Sequence, residues 1–209
     1  VISPSALEVG SGYVKLGEKI AKTIFIFAYP SYLSTGWFAP IINLDKVFDV
    51  SMHIHPVETG AVMRQLQKRV AEVLSEIHIR EEKGLVRDPM LDTAYQNLEE
   101  LRDRLQRAEE RLFMFGLYLT IYADTKEELD KEESEIRSIL ESKLVYPKPA
   151  LFQQKEGLNS VFPLGTDNLK MYTHLNTEPV SSVFPFISFD LTSNKGILYG
   201  VNRHNNGLV

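Results

Sequence analysis

The chain has no cysteine. That absence removes disulfides, thiolate nucleophiles and cysteine metal sites together, and it agrees with a reducing compartment. Long apolar runs are missing too. The longest uncharged stretch, Thr23 to Leu44, is broken by Pro30, by Ser34-Thr35-Gly36 and by Pro40, well short of the ~20 apolar residues that span a membrane. The opening VISPSALEVG has neither a basic segment nor an apolar core, so no signal peptide is expected there, and its lack of Met suggests trimming at this end. Basic charge is in deficit, with 23 Lys and Arg against 28 Asp and Glu for a net −5, which argues against a broad nucleic-acid face. Neither G-x-x-x-x-G-K-[ST] nor G-x-G-x-x-G occurs, so both nucleotide fingerprints are absent. No G-x-S-x-G elbow occurs either.

What remains is an ordinary globular composition, 44% hydrophobic and 24% charged over 209 residues. A chain of this length buries roughly 70% of its unfolded surface and requires no covalent staples. Thr23 to Tyr29 is a β-branched and aromatic run stopped by Pro30, which reads as a buried strand. One or two helical turns are expected in STGWFAPIINLD. FDVSMHIHP then alternates with period two: Phe48, Val50, Met52 and Ile54 point to a buried face, and Asp49, Ser51, His53 and His55 to a wet one.

From Thr59 to about Lys83 the period becomes helical through Val62, Met63, Leu66, Val70, Leu74 and Ile77, and Gly84 suits the position after the helix. Asp88-Pro89 opens a second helix, a capping residue followed by proline at the first helical position. Its outer face is expected to pair Glu100 with Arg104 and Asp103 with Arg107. The two helices predict a long antiparallel hairpin over about residues 59–110. FMFGLYLTIYA returns to strand, with Met114, Tyr118, Thr120 and Tyr122 on a semi-polar, partly covered face. Thr125 to Glu128 is a capping box that begins a further helix, and YPKPALFQQ predicts another strand. The element order points to an α+β fold: a ferredoxin-like mixed sheet with the helical hairpin inserted in one crossover.

Candidate chemistry is sparse. His53 and His55 share one face of a strand, their Cα atoms roughly 7 Å apart, a spacing that can chelate a metal. A catalytic zinc needs a third ligand, and the neighbouring sequence offers neither an H-E-x-x-H nor a carboxylate pair. Two polar residues on the wet face of an amphipathic strand is the expected reading, with no metal, cofactor or catalytic residue assigned. A self-contained metal-dependent hydrolase using His53 and His55 is the alternative, and a stand-alone ferredoxin-like scaffold a third. His78, His174 and His204 are scattered, and the acids of Lys126 to Lys143 read as a solvated face. The helical hairpin is a candidate docking surface.

IFIFAYPSYLSTGWFAPIINLDKVFDVSMHIHP resembles the opening of the type IV secretion and conjugation ATPases of the CagE/TrbE/VirB family. The residues that carry the likeness are Tyr29-Pro30, Gly36-Trp37 and His53 to Pro56. It continues in order through the long helices, LFMFGLYLTIYADTKEELDKEESEIRSIL, FQQKEGLNSVFPLG, NTEPVSSVFPFIS and GILYGVNRHNNGLV. The resemblance implies an N-terminal α+β domain over 1–175. Residues 176–209 would form a connecting region and the first hairpin of a RecA-like ATPase domain, interrupted before its Walker motifs. It further implies that the full-length protein is an ATPase using ATP and Mg, whereas this segment is not catalytic by itself. Implied partners are membrane components of a secretion channel and other copies of the chain, with no direct nucleic-acid site and no transmembrane segment. The implied location is cytoplasmic, peripheral at the inner face of the cell membrane.

Overall fold

A computed structural model describes residues 6–30, 32–184 and 200. In chain order its elements are β1 (Leu7–Val9), β2 (Val14–Leu16), β3 (Lys19–Ala28), α1 (Ala39–Ile42) and β4 (Phe48–Pro56), then α2 (Thr59–Glu82) and α3 (Pro89–Gln106). After these come β5 (Leu112–Ala123), α4 (Lys126–Glu141), β6 (Tyr146–Pro149), α5 (Gln154–Val161), β7 (Thr173–Asn176) and α6 (Thr177–Ser182). The local signals act as their chemistry dictates. Asp88 caps α3, its carboxylate accepting from the Met90 amide at 3.0 Å. The Thr125 hydroxyl accepts from the Glu128 amide at 3.2 Å, and the Glu128 carboxylate reaches back to the Asp124 amide at 3.1 Å, one residue before the cap, a variant of the capping box at the head of α4. Gly84, at φ 65°, takes the left-handed turn that ends α2.

The seven strands form one open sheet. Its central run is β6-β3-β5-β4, and every described pairing is antiparallel. The outer edge of β3 is shared by β2 at Lys19 to Ala21 and by β6 at Ile24 to Ala28. Beyond the end of β3, β7 takes its place along Leu112 to Phe115 of β5. Pro147 and Pro149 are tolerated in β6 because it is an outer strand. One face of the sheet carries the main core: Ile24, Ile26, Phe115, Leu117, Leu119 and Ile121 pack under Trp37, Phe38 and Ile41 and under Leu129, Ile136 and Leu140 of α4. On the other face a smaller cluster of Tyr118, Ala150, Val161 and Leu169 seats α5.

The architecture is therefore α+β, with several departures from expectation. The sheet is antiparallel, not mixed. The passage from β3 through α1 to β4 skips β5, and the passage from β5 through α4 to β6 skips β3, so no two parallel strands become neighbours. Helices α2 and α3 link β4 to its immediate neighbour β5, which places them in the connection between adjacent antiparallel strands and not in a crossover. Met52 and Ile54 are exposed, although the alternation assigns them to the buried face. Phe48 and Val50 pack against the core, while Met52 and Ile54, farther along this sheet-edge strand beside Leu117 and Phe115, are left uncovered. Arg104 pairs with Glu110 at 2.7 Å instead of with Glu100, and Arg107 lies 4.0 Å from Glu109 instead of beside Asp103.

The expected division at 175/176 falls within β7, and Val183 packs in the main core. The hairpin expected at the end of 176–209, in GILYGVNRHNNGLV, lies outside the described residues, apart from Gly200. No helix among the described residues is long and apolar enough to cross a membrane.

Candidate functional site

The period-two alternation of β4 puts Ser51, His53 and His55 on the face that α5 covers. Across the ladder, Ser51 faces Tyr118, His53 faces Gly116 and His55 faces Met114. Gly116 is required there: a Cβ would lie 2.7 Å from the Tyr118 hydroxyl oxygen, so only glycine leaves room for that ring. The His53 ring lies 5.2 Å from the Tyr118 ring, and His55 meets Tyr172 edge-on at the same centroid distance.

The α5 helix then sets the tautomer of His53. Its Nε2 is 2.8 Å from the carbonyl oxygen of Ser160. A carbonyl only accepts, so Nε2 carries a proton, and in the neutral ring Nδ1 holds the free lone pair. The Ser160 hydroxyl turns the other way, donating to the Glu156 carbonyl at 2.8 Å and reaching Asp167 Oδ1 at 3.1 Å. Asp167 is the residue that short-range sequence reading misses. It sits in a turn whose backbone curls round its carboxylate: Oδ1 accepts from the amides of Leu169 at 3.0 Å and Lys170 at 2.9 Å, and Lys170 adopts φ 53° to allow it. Oδ2 accepts from the Tyr118 hydroxyl at 2.8 Å.

Electrostatics follow from this network. Partial burial acts to raise the Asp167 carboxyl. The Lys170 amide, the Tyr172 and Tyr118 hydroxyls and nearby His53 outweigh it, holding the group below the usual aspartate range. The tyrosines shift oppositely. Burial and the adjacent Asp167 charge drive Tyr118 well above its ordinary value and push Tyr172 up to about 12. Both remain neutral donors at physiological pH.

One ligand atom from each of His53, His55 and Asp167 lies within 4.8 Å of the other two. The structure thus brings a third potential ligand to the histidine pair, from a turn far along the chain. It does not bring the other histidines there: His78 is on α2, 3.5 Å from Glu81, and His174 is on β7. His204 lies outside the described residues. An Asp in the turn-rich GTDN segment is too common a signal to have marked Asp167 beforehand.

A second feature lies at the far end of α2 and α3. Leu85 is about half exposed, Val86 is 86% exposed and Met90 81% exposed, and Ile79, near the end of α2, is exposed as well. The surrounding charges are engaged locally, Arg87 with Asp92 at 2.6 Å and Arg80 with Asp88 at 3.7 Å. Apolar side chains that an inward packing pattern does not require are thus displayed at a helix–helix turn. No protein-family model matches the chain, and no curated protein matches it.

Proposed function

We propose that this chain is the N-terminal assembly and interaction domain of an ATPase that energises type IV secretion or conjugative DNA transfer. The ordered likeness that runs from Tyr29-Pro30 through Gly36-Trp37 and His53 to Pro56 into the later segments supports the family. The strand order β6-β3-β5-β4, with α1 and α4 as its two crossovers, supports a ferredoxin-like core from which α2 and α3 project as one hairpin. In this reading ATP and Mg belong to the motor domain, and this domain docks on membrane components of the channel and on other copies of itself at the cytoplasmic face of the membrane.

The observation that carries the interaction role is the exposed trio Leu85, Val86 and Met90. A 24-residue α2 sets that trio about 36 Å along the helix from the end of β4, and exposed apolar clusters of this kind are characteristic of interaction surfaces. Two experiments test the proposal. The gene should encode a phosphate-binding loop downstream of Val209, and a downstream sequence without one overturns the family reading. In the full-length protein, Val86→Asp combined with Met90→Asp should cut transfer at least tenfold while the melting temperature stays unchanged. Undiminished transfer would remove the interaction role from this tip.

A further inference from the structure

We propose that His53, His55 and Asp167 form a binding site for one divalent transition-metal ion of the zinc class, which ties the turn around Asp167 to the edge strand β4. The inference is independent of the secretion reading and rests on the geometry of the site.

The donor set selects the metal. Two imidazoles and one carboxylate suit zinc, cobalt or nickel, whereas magnesium and calcium want oxygen throughout. The separations are within reach. Ligand atoms at most 4.8 Å apart must approach roughly 3.4 Å for tetrahedral bonds of about 2.1 Å. His55 is exposed and can supply that movement, because among its described contacts its side chain has only the edge contact with Tyr172. His53 and Asp167 are already held by their neighbours. The Ser160 carbonyl orients the His53 ring through the nitrogen that would not ligate, and Tyr118 orients the carboxylate through Oδ2. Hydrogen bonds of both kinds hold metal-ligating side chains in place.

Three protein ligands would leave a four-coordinate ion one position for water. The site's first consequence is mechanical. Asp167 lies more than a hundred residues beyond His53 and His55 in the chain, and an ion bridging β4 to its turn adds a link across that separation. Because the ion binds only the folded arrangement, it stabilises it by mass action.

The test is calorimetric titration of the chelator-treated chain with zinc chloride, and separately with magnesium chloride. One zinc should bind per chain with a Kd at or below about 1 µM, and magnesium should give no saturable heat. His55→Ala changes an exposed residue and leaves the fold intact by circular dichroism; it should weaken zinc at least tenfold. Tyr118→Phe keeps the ring and removes the hydroxyl, and it should weaken zinc about tenfold through the orientation of Asp167. His78→Ala, at the surface pair with Glu81, should change nothing. The absence of a saturable zinc site, binding undiminished in His55→Ala, or binding lost in His78→Ala would each overturn the proposal.

Discussion

The side chain of Gln154 completes the hydrogen bonding of Thr23 as a strand would. Its Oε1 accepts from the Thr23 amide at 2.7 Å and its Nε2 donates to the Thr23 carbonyl at 3.1 Å. The position explains the need. On the outer edge of β3 the pairing with β2 ends at Ala21, and the pairing with β6 starts at Ile24. Thr23 lies in the gap, 1% exposed, where an unpaired amide has no water to turn to.

Gln154→Leu keeps much of the volume and removes both bonds. The Thr23 carbonyl retains the Ala150 amide at 3.0 Å, so the Thr23 amide alone is stranded. The expected loss is about 2 kcal/mol, the desolvation cost of one buried donor together with the bond itself. Urea unfolding of both proteins measures it, and an unchanged midpoint would mean that the gap admits water.

Gly157 sits opposite the same residue. A Cβ there would lie 2.8 Å from both Cβ and Cγ2 of Thr23. On helix propensity alone Gly157→Ala gains about 1 kcal/mol. The clash is with the rigid root of a β-branched side chain in a strand, which cannot swing away. Overpacking of this kind costs about 1–3 kcal/mol, so the net effect should be destabilising. A midpoint that rises in thermal unfolding would show that α5 lifts off the sheet at no cost.

These contacts mark where the sequence stops being legible. The alternation of FDVSMHIHP, the apolar run of β5, the cap at Asp88-Pro89 and the box at Thr125 to Glu128 each announce an element, because each signal is local and several residues long. The three-residue strands β1 and β2 carry too few side chains to display a period. The α5 helix is short and holds Gly157 at its middle, so propensity hides it, and only packing on Thr23 gives the glycine a purpose. Gln154 against Thr23, and Asp167 against His53, depend on which segments lie over the sheet. That placement is set by the two crossovers, and no local pattern encodes it. The histidine pair was therefore visible as a pair, and its third neighbour was not.

Arg104 and Arg107 look equivalent on the charged side of α3 and are not. The Arg104 guanidinium reaches Glu110, whose side chain is 2% exposed and whose other oxygen accepts from the Thr177 amide at 2.9 Å at the head of α6. Arg107 is exposed, with Glu109 at the limit of contact. Arg104→Glu sets a second carboxylate against a buried one and should cost about 3 kcal/mol or more. Arg107→Glu should stay within about 0.5 kcal/mol. Denaturant midpoints of the two single variants decide the matter, and equal midpoints would mean that Glu110 is solvated.

Acid sensitivity should trace to Glu133. Burial acts to raise its carboxyl, but the Lys22 ammonium at 2.9 Å and the Arg137 guanidinium outweigh it, so the folded value lies below the ordinary 4.5. A group depressed on folding contributes stability that is fully present above its unfolded value and is lost as pH falls through its folded value. The contribution of Glu133 is therefore intact at neutral pH and declines once pH drops below about 4.5. Asp167, also depressed, adds to the decline from about 3.8 downward. Glu133→Gln cannot titrate, so its thermal midpoint should sit below that of the parent at pH 7, and the two should converge as the buffer is taken toward pH 3. A constant difference across that range would mean that the Lys22 and Arg137 contacts do not bias the protonation of Glu133, and the acid limb would then have to come from Asp167 and the surface carboxylates.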